Sequence, residues 1–560
     1  MSGDNRTATV EAYHQRTKHH FDRYAAALGY LDWANQPHPF RYYQGAASTQ
    51  LVLNRALPPV EYDHIYRPNS PSPAPLNPGT LSDFFYYSLA LSAWKQAGTN
   101  RWALRVNPSS GNLHPTEAYL LLTALSPDEA TPELYHYVSE SHALERRARF
   151  PDEVWQSLMG QLPNASFLVG LSSITWRETW KYGERAFRYC QHDMGHAIAA
   201  LRISAALCGW QLRLVSTWST DETASLLGLD RKQDFIPEEH EEAEVLALVT
   251  TATYGTQSPS LSSPSKELIH KIQSADWYGR ANRLSREHVP WPVIDEVTMA
   301  TRKPLEAAPA ISPQHFPEWP PARLSRTNCD ARQIIYHRRS CLALDGSSRT
   351  SRDNFLRILG STLPGAHPPW DALYWPPMIH LVLFVHRVDH LAPGVYALVR
   401  DPAKKDALRK AMRNTFVWET PPGVPEDFPL YLLSTADCRK TAEEVSCHQD
   451  IAADGFFSLG MLADFAEPIR LYGPSFYRNL FWEAGMIGQV LYLEAEAAGA
   501  RSTGIGCYFD DPVHELLGLA DSQFQDLYHF TVGVHVDDVR LQSWPAYPSA
   551  DHQNMNPPVP

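Results

Sequence analysis

A chain of 560 residues with 44% hydrophobic and 20% charged residues and a formal net charge of -13 is long enough for two cores of roughly 200 to 250 residues each. Its acidic balance, without a Lys/Arg block, argues against nucleic acid or an anionic membrane as partner, and no apolar stretch approaches the roughly 20 residues needed to cross a bilayer. Seven cysteines without a CxxC pair suit reduced thiols, and residues 1–30 lack the basic start and apolar run of a secretory signal, so a cytoplasmic protein is expected.

The N-terminal lead-in, residues 1–80, predicts a helix over 12–28 and then Pro-spotted coil up to Pro78. A first domain is expected over 81–256. Apolar residues recur at helical spacing from 81 to 97, and strands are predicted at 118–124, 133–138, 167–173, 211–218 and 245–251. A long helix over 184–207, closed by Cys208-Gly209, lies between the third and fourth of these strands. Ser- and Pro-rich stretches at 257–265 and 301–321 suggest a linker over 257–325. A second domain is expected over 326–545, with helices at 354–359 and 477–498 and strands at 380–386, 430–434, 502–509 and 527–536. The tail, 546–560, reads as disordered.

The two domains are copies. At a constant offset Tyr182 meets Tyr472, Gly183 meets Gly473, Arg188 meets Arg478, Gly195 meets Gly485 and Gly209 meets Gly499, and Leu-Leu-Gly-Leu ends both segments. A tandem duplication of this kind predicts an isologous dimer folded into one chain. Ten residues separate the strand near Ser173 from Tyr182, against almost forty between Ser434 and Tyr472, which suggests an insertion at 436–470. Its amphipathic run 451–465 reads as an added helix, either a lid or extra packing.

Three segments carry chemistry. Arg105-Val-Asn-Pro108-Ser109-Ser110-Gly111-Asn112-Leu-His-Pro before a strand is turn chemistry, whose hydroxyls, amide and backbone N–H groups suit a polar, partly anionic ligand. His337-Arg338-Arg339-Ser340 offers guanidinium forks that match phosphate. Thr503-Gly504-Ile505-Gly506-Cys507, following the second long helix, lets backbone approach a flat ligand. His19-His20 and Cys447-His448 lack the spacing of a metal site, and none is expected.

Together with the repeat, these segments resemble the FMN-dependent nitroreductase superfamily, and within it the SagB-type azoline dehydrogenases. The resemblance implies an α+β fold: two nitroreductase-like domains, each a mainly antiparallel sheet flanked by helices, forming an intramolecular pseudo-dimer. It implies FMN at the interface, with Arg338, Arg339, Ser340, Gly504, Ile505 and Gly506 from one copy and Pro108, Ser109, Ser110 and Asn112 from the other. The first copy has Ser216-Thr217-Trp218 in place of the Gly pair and no clear Arg-x-Ser. The second has Trp375-Pro376-Pro377 where the Pro-Ser loop would be. One complete composite site is therefore expected, with its pseudo-symmetric mate lost. The family's basic residue near the C-terminus corresponds to Arg540. Lys181 and Tyr182 resemble the Lys-Tyr pair beside the flavin in the azoline-oxidising branch, where a base takes a proton while a hydride leaves; the second copy has Leu471-Tyr472.

The expected function is thus flavin-mediated hydride transfer on a small-molecule or peptide substrate, with oxidation of an azoline or related C–N bond as the specific reading. The alternatives are NAD(P)H-dependent reduction of nitroaromatics or quinones and, from another class, a flavin-free scaffold. Oligomerisation beyond the pseudo-dimer stays open.

Overall fold

The computed structural model describes residues 3–53, 56–67, 70–123, 131–160, 162, 166–251, 260–305 and 329–547. Most of the expected Ser/Pro connections and nearly all of the C-terminal tail lie outside the described residues.

Helix α1 (Gly3–Arg16) stops well before the expected end at 28. Arg188 and Arg185 take the carbonyls of His14 and Thr17 at 2.7 and 2.6 Å, and Asp510 accepts from the His19 amide at 2.9 Å. Arginine side chains thus satisfy carbonyls at the helix C-terminus and turn the chain away. Helix α2 (Pro78–Tyr86) starts at Asn77, whose side chain accepts from the amides of Gly79 and Thr80. The helical pattern expected up to 97 ends early. Leu91–Ala97 is instead a strand, turned at Gly98 (φ 57) onto Asn100–Arg105 and paired on its other edge with Gln542–Trp544.

Each half is built on an antiparallel sheet. The first contains β1 (Thr116–Thr123), β2 (Pro132–Val138), β3 (Ala143–Arg149), β4 (Ser166–Ser173), β5 (Gln211–Leu214) and β6 (Glu242–Thr250), in the order β3-β2-β1-β4-β6-β5. The second contains β7 (Ile379–Val385), β8 (Gly394–Leu398), β9 (Leu430–Thr435), β10 (Phe457–Asp464), β11 (Arg501–Ile505) and β12 (Phe524–Gly533), in the order β9-β8-β7-β10-β12-β11. The orders correspond strand for strand. Helices α3 (Thr175–Tyr182) and α4 (Ala186–Leu207) follow β4, as α5 (Ala466–Tyr472) and α6 (Phe476–Ala497) follow β10.

α4 and α6 cross at the equivalent glycines. A Cβ on Gly195 would lie 2.2 Å from the Trp482 carbonyl, and one on Gly485 2.2 Å from the His192 carbonyl, so only glycine permits this approach. The inward faces of both sheets, with Leu120 and Val169 on one side and Leu381 and Leu459 on the other, enclose the helix pair in one apolar cluster. The outward faces form separate cores, as the two-residue alternation of strands requires.

This correspondence corrects the expected insertion. The run read as an added helix contains β10, the central strand equivalent to β4, so both copies reach their Tyr-Gly element soon after it. β10 is buried on both faces, and a near-continuous apolar run cannot be told from a buried helix by periodicity. The expected linker also changes. Lys266–Gln273 and Pro292–Ala300 are helices, and Asp276–Trp277 pairs with the edge of the first sheet at β3. Among the described residues no helix is long and apolar enough to cross a membrane.

Candidate functional site

The Arg-Arg-Ser turn of the second half lies against the hairpin and loop of the first. Arg338 is buried, and its Nε and Nη2 donate to the carbonyls of Val106 (3.1 Å) and Arg105 (3.0 Å), the residues leading into Pro108. Its guanidinium sits 4.9 Å from the ring centroid of Tyr492. Arg339 donates to the carbonyls of Tyr336, Arg338 and Ser92. The Ser340 hydroxyl lies 2.8 Å from that of Tyr492, which accepts from the Gly504 amide at 3.0 Å. Arg501 donates to the His337 carbonyl.

These guanidiniums are bonded mainly to carbonyls. Glu496, 3.3 Å from Arg501, is the one carboxylate in ion-pair range of the group among the described residues. Burial, with Arg501 as a like charge, pushes Arg338 down to about 10, and burial with Arg338 and Arg501 does the same to Arg339. Lys95 is lowered by burial and by Arg339 and Arg501. A desolvated cationic corner short of counter-charge favours an anion such as phosphate.

The loop of the first half is held by Asp193 of α4. Ser109 Oγ, Ser110 Oγ and the Ser110 amide donate to its carboxylate at 2.7 to 3.0 Å. Burial raises Asp193 to about 7 against the pull of these donors. Asn112 (φ 59) uses its amide to hold the Ala103 carbonyl at 2.9 Å. Asn107 Oδ1 and Ser502 Oγ are buried without a partner among the described residues.

Between loop and glycines stand Lys181 and Tyr182 at the end of α3. A Cβ on Gly111 would lie 2.5 Å from Tyr182 Oη and 3.1 Å from Lys181 Nζ. Tyr182 packs on Tyr189 with ring centroids 4.2 Å apart. Tyr189 lies over Gly506 and Tyr528 over Gly504, where a Cβ would in each case meet the tyrosine at 2.1 Å. The Ile505 side chain, in contrast, belongs to the outer core of the second half. Burial lowers Lys181, partly offset by Glu178, and raises Tyr182 well above its usual range. Glu178, one turn before Lys181, is buried with neither oxygen bonded among the described residues, and burial followed by Asp193 raises it well above the carboxylate range.

The structure therefore brings the Arg338–Ser340 turn, the Pro108–Asn112 loop, Lys181, Tyr182, Gly504 and Gly506 into one neighbourhood built from both halves. Arg540 is not part of it. Its side chain is 83% exposed and paired with Asp538. Arg501, Tyr492, Asp193, Tyr189 and Glu178 had no motif to single them out, although Arg501 stands just before the Gly pair in sequence.

The pseudo-symmetric position holds a cavity of about 310 Å³ lined by Ser216, Trp218, Tyr374, Tyr472, Arg478 and Trp482, among others. Trp375 donates to Glu483, the equivalent of Asp193, at 3.3 Å, so a buried tryptophan occupies the helix acid here, as Ser109 and Ser110 occupy Asp193 on the other side. Arg478 is neutralised by Glu244 at 2.5 Å and Glu242 at 3.2 Å.

Residues 389–534 match the model of the Nitroreductase family. A candidate nitroreductase from Anabaena variabilis is similar in structure over 94% of this chain and 99% of its own, at 21% identity and a TM-score of 0.66. One subunit of an E. coli microcin synthetase complex with truncated pro-MccB17 bound aligns with 45% of this chain and 94% of its own, at 18% identity and TM-score 0.27. A candidate nitroreductase from Exiguobacterium sibiricum in complex with FMN aligns with 40% and 94% respectively, at 13% and 0.23. No curated protein matches the chain in sequence. The second half thus carries a nitroreductase-family match, and the chain over nearly its whole length has the fold of the Anabaena protein.

Proposed function

We propose that this chain is an FMN-dependent oxidoreductase with one composite site, assembled from the Arg338–Ser340 turn and Gly504–Gly506 of the second half and the Pro108–Asn112 loop of the first. The observation that carries this reading is the pair of bonds from Arg338 to the Arg105 and Val106 carbonyls. They join two half-motifs that neither domain holds alone. The residues fit the cofactor: a cationic corner short of counter-charge suits its phosphate, and the two glycines let the rings of Tyr189 and Tyr528 pack directly on the backbone of β11 and its extension beside it. Bound FMN would supply the two-electron chemistry.

The chain's own residues supply orientation and proton handling. Lys181, made less basic by burial, is the base, since a lowered pKa raises the share of free amine near neutrality. Tyr182, held protonated, donates a hydrogen bond but does not abstract. This division supports oxidation of an azoline or related C–N bond, in which a proton must be removed as hydride departs. The second reading, reduction of a nitroaromatic or quinone by NAD(P)H, draws on the protonated Tyr182 as donor to an acceptor oxygen.

The two readings separate under anaerobic conditions with FMN-loaded protein. An azoline-bearing peptide should bleach the flavin absorbance and lose two hydrogens, and Lys181→Ala should abolish this while still holding FMN. Bleaching by NAD(P)H alone, with no response to the peptide, would favour the second reading.

A further inference from the structure

One residue past Gly506, the site borders a cluster that the oxidoreductase reading leaves unused. Cys507 Sγ lies 2.6 Å from Cys447 Sγ and 3.7 Å from His19 Nδ1. Both cysteines are half-buried and unbridged. The turn that carries Cys447 is held in a constrained geometry: Cys447 and His448 both have positive φ, 54 and 56, a conformation that non-glycine residues seldom adopt. Gln449 ties this turn to the segment after β11, donating to the carbonyls of Cys507 (3.0 Å) and Ser446 (2.8 Å). Backbone strain and cross-links thus hold two thiols from distant parts of the second half face to face.

We propose that Cys447 and Cys507 form a redox-active dithiol that exchanges with thiols and disulfides. Cys507 is the attacking sulfur: Arg185, which donates to the carbonyl of the adjacent Gly506 at 3.3 Å, places a cation on its side of the pair, and a neighbouring guanidinium favours the thiolate. Its thiolate attacks an external disulfide, expelling one thiolate and forming a mixed disulfide. Cys447, deprotonated in turn, attacks the Cys507 sulfur and expels the second thiolate as the intramolecular S–S bond closes. The external disulfide gains two electrons, the pair loses two, and the two thiol protons leave with the released thiols.

A metal ion is the competing occupant, because the ligand atoms of His19, Cys447 and Cys507 all lie within 4.8 Å of one another. Two thiolates on one tetrahedral zinc, at about 2.3 Å each, would stand about 3.8 Å apart. The observed 2.6 Å favours sulfur–sulfur chemistry. Placed beside Gly506, the pair would let an external thiol or disulfide exchange electrons near the composite site.

The test is a thiol count on the full chain, with and without FMN. After exposure to glutathione disulfide and denaturation, two of the seven cysteines should no longer alkylate. Peptide mapping should place the link between positions 447 and 507, and Cys447→Ser should trap glutathione on Cys507. Seven reactive thiols after oxidation, or a link elsewhere, would overturn the proposal. So would one zinc per chain that protects the pair and is removed by a chelator. The parent-protein map decides the matter even if the variant fails to fold.

Discussion

At the composite site Gly506 leaves room for the Tyr189 ring, Lys181 and Tyr182 end the helix beside it, and Arg338 and Arg339 face carbonyls. Across the pseudo-twofold axis the equivalent positions are Ser216, Asn479, Leu471 and Tyr472, and the arginine there, Arg478, is already paired with two glutamates. Both acids of the crossing helices keep one duty: Asp193 and Glu483 each hold the loop before a central strand. What differs is what the loop carries. A symmetric homodimer must keep both sites alike. A fused pair can load one side with charge and leave the other an aromatic cavity.

That contrast can be broken residue by residue. The largest effect is expected from Lys181→Ala, which should lower turnover by roughly 10²–10⁴-fold, the usual worth of a positioned acid–base group, with FMN retained. Leu471→Lys on the other side should restore nothing, as steady-state kinetics on both variants would show. Arg338→Ala should weaken FMN binding by roughly 10- to 100-fold, since a hydrogen bond to a charged group is worth about 1.5–3 kcal/mol. A flavin fluorescence titration reads this directly, and neutralising Arg478 should leave the same titration unmoved.

Gly506→Ala drives a Cβ into the buried ring of Tyr189 and should cost about 1–3 kcal/mol of stability by overpacking. Ser216→Gly should change stability by less, and thermal melts of the two variants make the comparison. The last effect concerns pH. Asp193 is held protonated to about 7, above its value in the unfolded chain, so the native state binds more protons between the two values. Stability should therefore fall as pH rises from about 4 to about 7 through this group and level off beyond. Asp193→Asn should flatten that part of the denaturation profile.

The repeat made much of this legible. The same helix written twice, with Gly195 and Gly485 in register, indicates paired helices, and the complementary losses of Gly pair and Pro-Ser loop are what lead to the single composite site proposed above. Central strand β10 escaped because burial on both faces erased its alternation. Strand β3 escaped for the opposite reason. Arg146, Arg147 and Arg149 make it look like surface, yet Glu133 and Asp234 pair with them from elsewhere in the fold. The extra cation of the arginine corner, Arg501, and the loop anchor Asp193 depend on long-range contacts that no local pattern announces. Arg540 shows the converse: a position carried over by resemblance, while the neighbouring Asp538 claims its side chain on the surface.

The account's central claim is one composite site per chain, and flavin stoichiometry tests it most directly. The purified chain, saturated with FMN and freed of excess, should release one FMN per polypeptide, and Arg338→Ala should release far less. Two per chain, or one per chain that survives loss of Arg338 and Arg339 together, would contradict it.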